Sequence, residues 1–204
     1  MLADAGAKSV RGFDIDSSAA EYANEHFIAG NLSYAQGNAE NLAGVPDNSA
    51  DVVVSFETIE HLNQVGSYLK EMRRILRPGG QYFVSTPDRR LASTMYPLRG
   101  RPNNGYHVEE FTGPQFRGMM ETAGFEVVEF GGQNYINGAL VFWPLQVFLK
   151  GSGYALRALG GAKAVRNIYH LGSGFSVKPD SEYKAHVARY WVAHCRKPVD
   201  GAGH

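Results

Sequence analysis

Residues 51–86 constrain the fold more than any other stretch of the chain. Asp51 to Phe56 (DVVVSF) is a nearly continuous apolar run, the pattern of a strand buried on both faces of a parallel sheet. Gln64 to Leu76 follows, with Tyr68, Leu69, Met72, Ile75 and Leu76 spaced along one helical face. Arg77-Pro78-Gly79-Gly80 stops that helix, because proline cannot continue it and glycine permits the reversal. Gln81 to Thr86 (QYFVST) is the next strand. Strand, helix and strand in this order are the unit of a doubly wound sheet with right-handed crossovers.

The alternation extends both ways. Lys8 to Asp14 reads as a strand ending in an acid, and Ser17 to Ala29 as a helix with Ser17 or Ser18 as N-cap and Ala20, Ala23 and Phe27 on one face. Leu32 to Gln36 is a second strand. Thr112 to Ala123 is a helix, Phe125 to Gly131 a strand, and Arg189 to Cys195 a last strand. The expected architecture is one α/β domain over residues 1–204, a Rossmann-like, mainly parallel doubly wound sheet. Two segments fall outside the alternation. Arg89 to Tyr106, rich in Arg, Pro, Gly and Asn, reads as a loop. Gln133 to Glu182 reads as an insertion before the last strand, a cap or substrate lid. Its apolar piece Ala139 to Leu149 is too short to span a bilayer and is broken by Pro144; its alternative reading is a weak membrane-surface contact.

Composition narrows the function classes. Twenty basic residues balance twenty acidic ones, so the broad positive field of a general nucleic-acid binder is not expected. The single cysteine, Cys195, excludes an intramolecular disulfide and a cysteine zinc cluster. Met1 to Ala7 carries no basic region ahead of an apolar core, and no apolar run reaches about 18 residues, so a cytoplasmic protein is expected.

In open α/β sheets ligands bind beyond the carboxyl ends of the strands. Asp14 ends the first strand and can accept hydrogen bonds from both hydroxyls of a ribose; its plainer role is a helix N-cap or surface acid. After the second strand, Gly37 lets the chain turn and Asn38 can present its amide to a base edge, or the pair is an ordinary turn. The densest constellation is Ser55-Phe56-Glu57-Thr58-Ile59-Glu60-His61-Leu62. On a helix, Glu57, Glu60 and His61 stand at i, i+3 and i+4 and share one face. Adjacent carboxylates repel and need a cation or a buried proton, and oxygen plus imidazole donors suit a divalent ion such as Mg, Mn, Fe or Zn. Two plainer readings stay open: a solvated helix start, and a metal-free Glu60–His61 pair acting as general base. His107, ahead of the Thr112 helix, can reach the same edge or merely order its loop. His26, His170, His186, His194 and His204 show no partner pattern.

Taken in order, Val10 to Asp16, Gln36-Gly37-Asn38-Ala39-Glu40, Pro46 to Val54, Glu60-His61-Leu62 and Leu76-Arg77-Pro78-Gly79-Gly80 resemble successive motifs of class I S-adenosylmethionine-dependent methyltransferases, over residues 1–131 and 189–198. The resemblance implies Asp14 on the cofactor ribose, Ile15 against the adenine, Asn38 and Ala39 at the adenine edge, and Ser55 and Phe56 bordering the methyl donor. Family members often carry Asp where this chain has Asn38; the amide oxygen of Asn can still accept, with weaker binding expected.

Glu-x-x-Glu-His is narrower, and resembles the metal motif of ubiquinone-biosynthesis O-methyltransferases and small-RNA 2′-O-methyltransferases. This implies Glu57, Glu60, His61 and His107 as ligands of Mg2+ or another divalent cation, with His61 and Glu60 at the reacting centre. The implied function is methyl transfer to a hydroxyl of a small molecule, such as a sugar, a quinol or a lipid-linked acceptor. A non-catalytic remnant or binding module of the same fold is the alternative, and an RNA ribose 2′-O-methyltransferase a further one. One departure is the family's strand with a Gly-x-Gly-x-Gly-like loop. It is expected roughly twenty residues before the first strand here and is absent, which reads as a late start or true loss and leaves a gap in the sheet. The glycine clusters 151–153 and 172–174 follow no strand of the right kind. Acceptor choice is expected to reside in 89–106 and 133–182; no motif there names the acceptor or the oligomeric state.

Overall fold

The computed structural model describes residues 2–93, 101–133, 136–137, 178–179 and 186–199. The Ala139–Leu149 run and most of the insertion lie outside the described residues.

The chain first forms β1 (Val10–Asp14), α1 (Ser17–His26) and β2 (Leu32–Gln36). β1 and β2 pair in parallel, Val10 opposite Leu32 and Asp14 opposite Gln36. Asp16, not Ser17 or Ser18, caps α1: its carboxylate accepts from the Ser18 N–H at 2.9 Å. α1 ends at His26, because Phe27 leaves helical geometry; the expected extension to Ala29 is not formed.

β3 (Ala50–Ser55), α2 (Val65–Ile75) and β4 (Leu76–Pro87) make the expected crossover, with β3 and β4 parallel. The helix stops ahead of the Arg-Pro-Gly-Gly segment, as expected, and the segment itself is part of β4. Ala50 faces Leu76 and the next paired residue, Val52, faces Gln81, so the extra residues are absorbed as an irregularity in the ladder. Gly79, at φ 77°, supplies the left-handed backbone this needs.

After α3 (Arg89–Ala92), which replaces the start of the expected loop, come α4 (Gly113–Thr122), β5 (Glu126–Gln133) and β6 (Ile136–Asn137). β7 (Lys178–Pro179), β8 (His186–Val187) and β9 (Tyr190–Arg196) complete the described elements. The main sheet has the order β3-β4-β9-β5-β7. β9 lies antiparallel between β4 and β5, so β3, β4 and β5 run one way and β9 runs against them. Among the described residues, no ladder joins β1–β2 to this sheet.

The expectation that β3 is covered on both faces is corrected. Val53 packs against the core, whereas Val52 and Val54 are 47% and 38% exposed. Among the described residues β3 is an edge strand, and an apolar run reads the same whether one face or two are covered.

The core lies on the face of β4 and β9 that carries Tyr82, Val84, Ala193, Cys195 and Trp191. α2 contributes Tyr68, Leu69, Met72 and Ile75, the stripe legible in the sequence, and α4 contributes Phe116 and Met120. Burial pushes the Cys195 thiol up to about 12, so it behaves as a small apolar group. Trp191 stacks on Phe130 and donates its indole N–H to buried Asp88 at 2.6 Å. Asp88 also caps α3 and pairs with Arg90, so the ends of β4 and β9 are pinned together.

The β1–β2 unit is tied to the main sheet through residues 37–47. Phe13, Ala39 and Val45 pack on the core around buried Leu42. The Leu42 N–H donates to Glu71 at 2.6 Å, while the Arg74 guanidinium donates to the carbonyls of Leu42 and Val45 and pairs with Glu71 and Asp47. Hydrogen bonding from Arg74 holds the Glu71 carboxyl below its ordinary range. These contacts fix the segment that presents Asn38.

Two glycines of α4 separate packing from propensity. A Cβ on Gly113 would lie 2.6 Å from the Trp191 ring, whereas one on Gly118 meets nothing within 4 Å. Gly113→Ala is expected to destabilise the fold by about 1–3 kcal/mol through overpacking. Gly118→Ala is expected to stabilise it by about 0.5–1 kcal/mol through helix propensity. Urea unfolding midpoints at equal slope check both.

Candidate active site

The chemistry-bearing residues gather at the carboxyl ends of β1, β2, β3 and β4. Asp14 ends β1 with an exposed carboxylate whose Oδ1 accepts from the Asp16 N–H at 2.9 Å. Because Asp16 caps α1, the N-cap role considered for Asp14 is taken by another residue. Ile15 is 70% exposed beside it. Asn38 stands on the turn after β2, with its Oδ1 accepting from the Glu40 N–H at 2.9 Å. One lone pair of the amide oxygen is therefore engaged, and the Nδ2 donors are what Asn38 most readily offers a base edge. Ala39 is half-buried against the core.

Ser55 ends β3 opposite Val84 of β4 and accepts from the Tyr68 hydroxyl at 2.7 Å. Tyr68 in turn meets the Tyr82 hydroxyl at 2.6 Å, and burial pushes both phenols up. Phe56 is 56% exposed at the rim.

The helical face expected for Glu57, Glu60 and His61 is corrected. Glu57 has a left-handed backbone, φ 53°, and only Ile59–His61 forms a single 3-10 turn. The residues still converge, because the reversal at Glu57 and the tight turn bring them back over the end of β4. Donor atoms of Glu60, His61 and His107 all lie within 4.8 Å of one another. Glu57 is beside them: its Oε1 accepts from the Ser85 hydroxyl at 2.6 Å, and its carboxyl feels the charges of Glu60, His107 and His61.

Glu60 is 1% exposed, with the Thr86 hydroxyl donating to its Oε2 at 3.3 Å. Burial pushes the carboxyls of Glu57 and Glu60 up. For Glu57, Ser85 opposes that rise and the Glu60 charge adds to it. The Glu60 carbonyl accepts from the N–H groups of Val108 and Glu109 at 2.8 and 3.2 Å, which draws the His107 segment over the turn.

Each imidazole is held at Nδ1. That of His61 donates to the Tyr106 carbonyl at 2.9 Å, and that of His107 meets the buried Glu110 carboxylate at 2.7 Å. A carbonyl can only accept, so neutral His61 carries its proton on Nδ1 and a lone pair on Nε2. That Nε2 lies 3.9 Å from the Glu60 Oε1, beyond hydrogen-bond reach. Two acceptors therefore face each other across a space that suits a shared cation. Buried carboxylate plus imidazole is a donor set that fits a hard or borderline divalent ion.

Ser85, Thr86, Tyr106, Tyr68 and Glu110 were not singled out from the sequence. Ser85 and Thr86 were within reach of the strand-end rule, since they close the QYFVST strand. His26, whose Nδ1 donates to the Tyr22 carbonyl at 2.9 Å, and His194, which meets Gln81 at 2.6 Å, lie apart from the cluster.

A family model described as a methyltransferase domain matches residues 1–84. A Mycolicibacterium smegmatis protein named "Probable S-adenosylmethionine-dependent methyltransferase" is 38% identical over 127 residues, 62% of this chain and 47% of that protein. The ubiquinone biosynthesis O-methyltransferase of Cupriavidus pinatubonensis is 31% identical over 137 residues, 62% of this chain and 55% of that one. The chain thus spans about half the length of these curated relatives. Among solved structures, a methyltransferase from Thermotoga maritima superposes with a TM-score of 0.57 at 21% identity, covering 92% of this chain and 72% of that one. In motif order, sequence match and fold, the chain is similar to class I S-adenosylmethionine-dependent methyltransferases.

Proposed function

We propose that this protein transfers a methyl group from S-adenosylmethionine to a hydroxyl of a small molecule, with a divalent cation held by Glu60, His61 and His107 and supported by Glu57. The observation that carries the reading is the pair of facing acceptors, His61 Nε2 and the buried Glu60 carboxylate, 3.9 Å apart. A general-base dyad needs an orienting hydrogen bond between the two; here the orienting bond of His61 goes to Tyr106 instead. When bound, the ion supplies a Lewis acid that lowers the pKa of an acceptor hydroxyl. The relatives named for ubiquinone O-methylation support oxygen as the acceptor atom.

The chain's own residues divide the work. Asp14 offers a carboxylate to the ribose hydroxyls, Ile15 an apolar surface to the adenine, and Asn38 and Ala39 the base edge. Ser55 and Phe56 border the space between this edge and the Glu–His cluster, and Ser85 and Thr86 hold the carboxylates beneath it. The methyl group comes already activated as a sulfonium, so alignment is the main task left to the protein. One observation favours a second reading, a non-catalytic binding module. Among the described residues no ladder joins the β1–β2 pair, which carries Asp14, to the main sheet.

Calorimetry with S-adenosylhomocysteine, with and without Mg2+, tests the proposal together with methyl transfer to a panel of hydroxylated small molecules and an oligoribonucleotide. Binding and turnover on a small hydroxylated acceptor support it; binding without turnover on any acceptor supports the module. Asp14→Ala is expected to weaken S-adenosylhomocysteine at least about tenfold, since hydrogen bonds to a charged group are worth about 1.5–3 kcal/mol. His61→Ala is expected to leave that affinity intact and remove turnover. Equal turnover in a chelated His61→Ala variant overturns the metal role.

The raised carboxyls give a stability test. In the folded chain Glu57 and Glu60 hold their protons above the ordinary value of 4.5. Their contribution favours the metal-free fold below 4.5 and is lost as pH rises through the raised values toward neutrality. Glu57→Gln removes part of that loss, so the metal-free variant is expected to melt above the parent at pH 7. The parent is expected to gain about 2.7 kcal/mol from a cation at one hundred times its Kd, and the variant less. Thermal melts with Mg2+ and with chelator measure both.

A further inference from the structure

We propose that Glu110 is a positioning residue that fixes the His107 imidazole as its Nδ1–H tautomer, so that Nε2 presents a lone pair to the Glu60–His61 cluster, with Ser93 as its clamp. The inference rests on the metal reading for its use, and on hydrogen-bond direction for its content.

The direction is set at one end by a group that can only donate. The Asn103 backbone N–H donates to the Ser93 Oγ at 2.8 Å. The Ser93 hydroxyl in turn donates to the Glu110 Oε2 at 2.5 Å. Ser93 and Glu110 are each 2% exposed, so water does not compete for these bonds. The remaining oxygen, Oε1, faces the His107 Nδ1 at 2.7 Å. A carboxylate has no proton to give, so the proton between them belongs to Nδ1. In the neutral ring Nε2 is then unprotonated and free to ligate. A carboxylate behind a histidine in this way fixes the ring's orientation and raises its basicity as a ligand.

The backbone around Glu110 is pinned on both sides. Val108 and Glu109 donate to the Glu60 carbonyl, and the Phe111 carbonyl accepts from the Arg89 N–H at 3.1 Å. Phe111 also bridges to Asp88. Glu110 therefore cannot follow the imidazole; the imidazole follows Glu110. The His61 ring meets His107 edge to face at 4.9 Å, which leaves little freedom for an alternative ring setting.

Long-range 1H–15N correlation spectra of the histidine rings, in mildly alkaline buffer without metal, read the tautomer directly. Mn2+ calorimetry reads the consequence. The parent is expected to show His107 as Nδ1–H. Glu110→Ala is expected to shift it to Nε2–H and to weaken Mn2+ about 10–100-fold, with acetate restoring part of the affinity and S-adenosylhomocysteine binding unchanged within about twofold. If Glu110→Ala does not fold, Glu110→Gln carries the test: its single amide oxygen serves two donors, Ser93 and His107, so Mn2+ affinity should fall several-fold. An Nε2–H tautomer in the parent overturns the proposal. So does Mn2+ affinity within about twofold of the parent in the folded variant. A parent with the expected tautomer that binds no Mn2+ overturns the metal reading and leaves the tautomer result to decide this one.

Discussion

A glutamate carboxyl with 1% of its surface exposed governs the arrangement of everything near it. Glu60 sits on a single 3-10 turn at the end of β3, against the end of β4. An unpaired charge in such a place costs several kcal/mol, so the surroundings must supply protons, dipoles or a cation. Thr86 brings one hydroxyl from β4. The backbone of the same glutamate draws in Val108 and Glu109, and with them the segment bearing His107. His61 closes the other side and is itself held by Tyr106 from that segment. One buried acid therefore explains why a loop distant in sequence lies over the strand ends. It also explains why that loop carries the partners of both histidines.

The strand-end rule made much of this site legible. In a parallel α/β sheet, chemistry collects where strands hand over to the next turn, and that position alone draws attention to Asp14, Asn38, Ser55, Glu57, Glu60 and His61 as candidates. The route to the cluster was nonetheless wrong in detail. Spacing of i, i+3 and i+4 suggested a helical face, whereas the chain reverses at Glu57 with a positive φ. Spacing identifies residues close in sequence; it does not reveal which backbone brings them together. Residues that act only through partners were harder still. Glu110 reads as an ordinary acid ahead of a helix, and its role depends on Ser93, 17 residues earlier. Likewise Val52 and Val54 are as apolar as any buried strand, and only the sheet order reveals that they flank an edge.

The two halves of the site rest on different physics. The Glu–His cluster is built into the main sheet: Ser85 and Thr86 come from β4, and Asp88 locks β4 to Trp191 of β9. Its geometry is set by buried hydrogen bonds and tight packing. The Asp14 half stands on the two-stranded β1–β2 ladder, with Asp14 and Ile15 exposed. It meets the main sheet through residues 37–47, where apolar packing around Leu42 is joined by polar ties: Glu71 to Leu42, Arg74 to two carbonyls, and Glu40 to the Gln64 N–H at the start of α2. In the proposed reaction, alignment of the methyl donor with an acceptor hydroxyl would depend on the distance between the halves, and α2 is the element common to both. Its Tyr68 reaches Ser55 at the cluster side while its Glu71 and Arg74 hold the Asn38 side. The helix whose apolar stripe is legible in the sequence is thus also the spacer between the two halves of the proposed site.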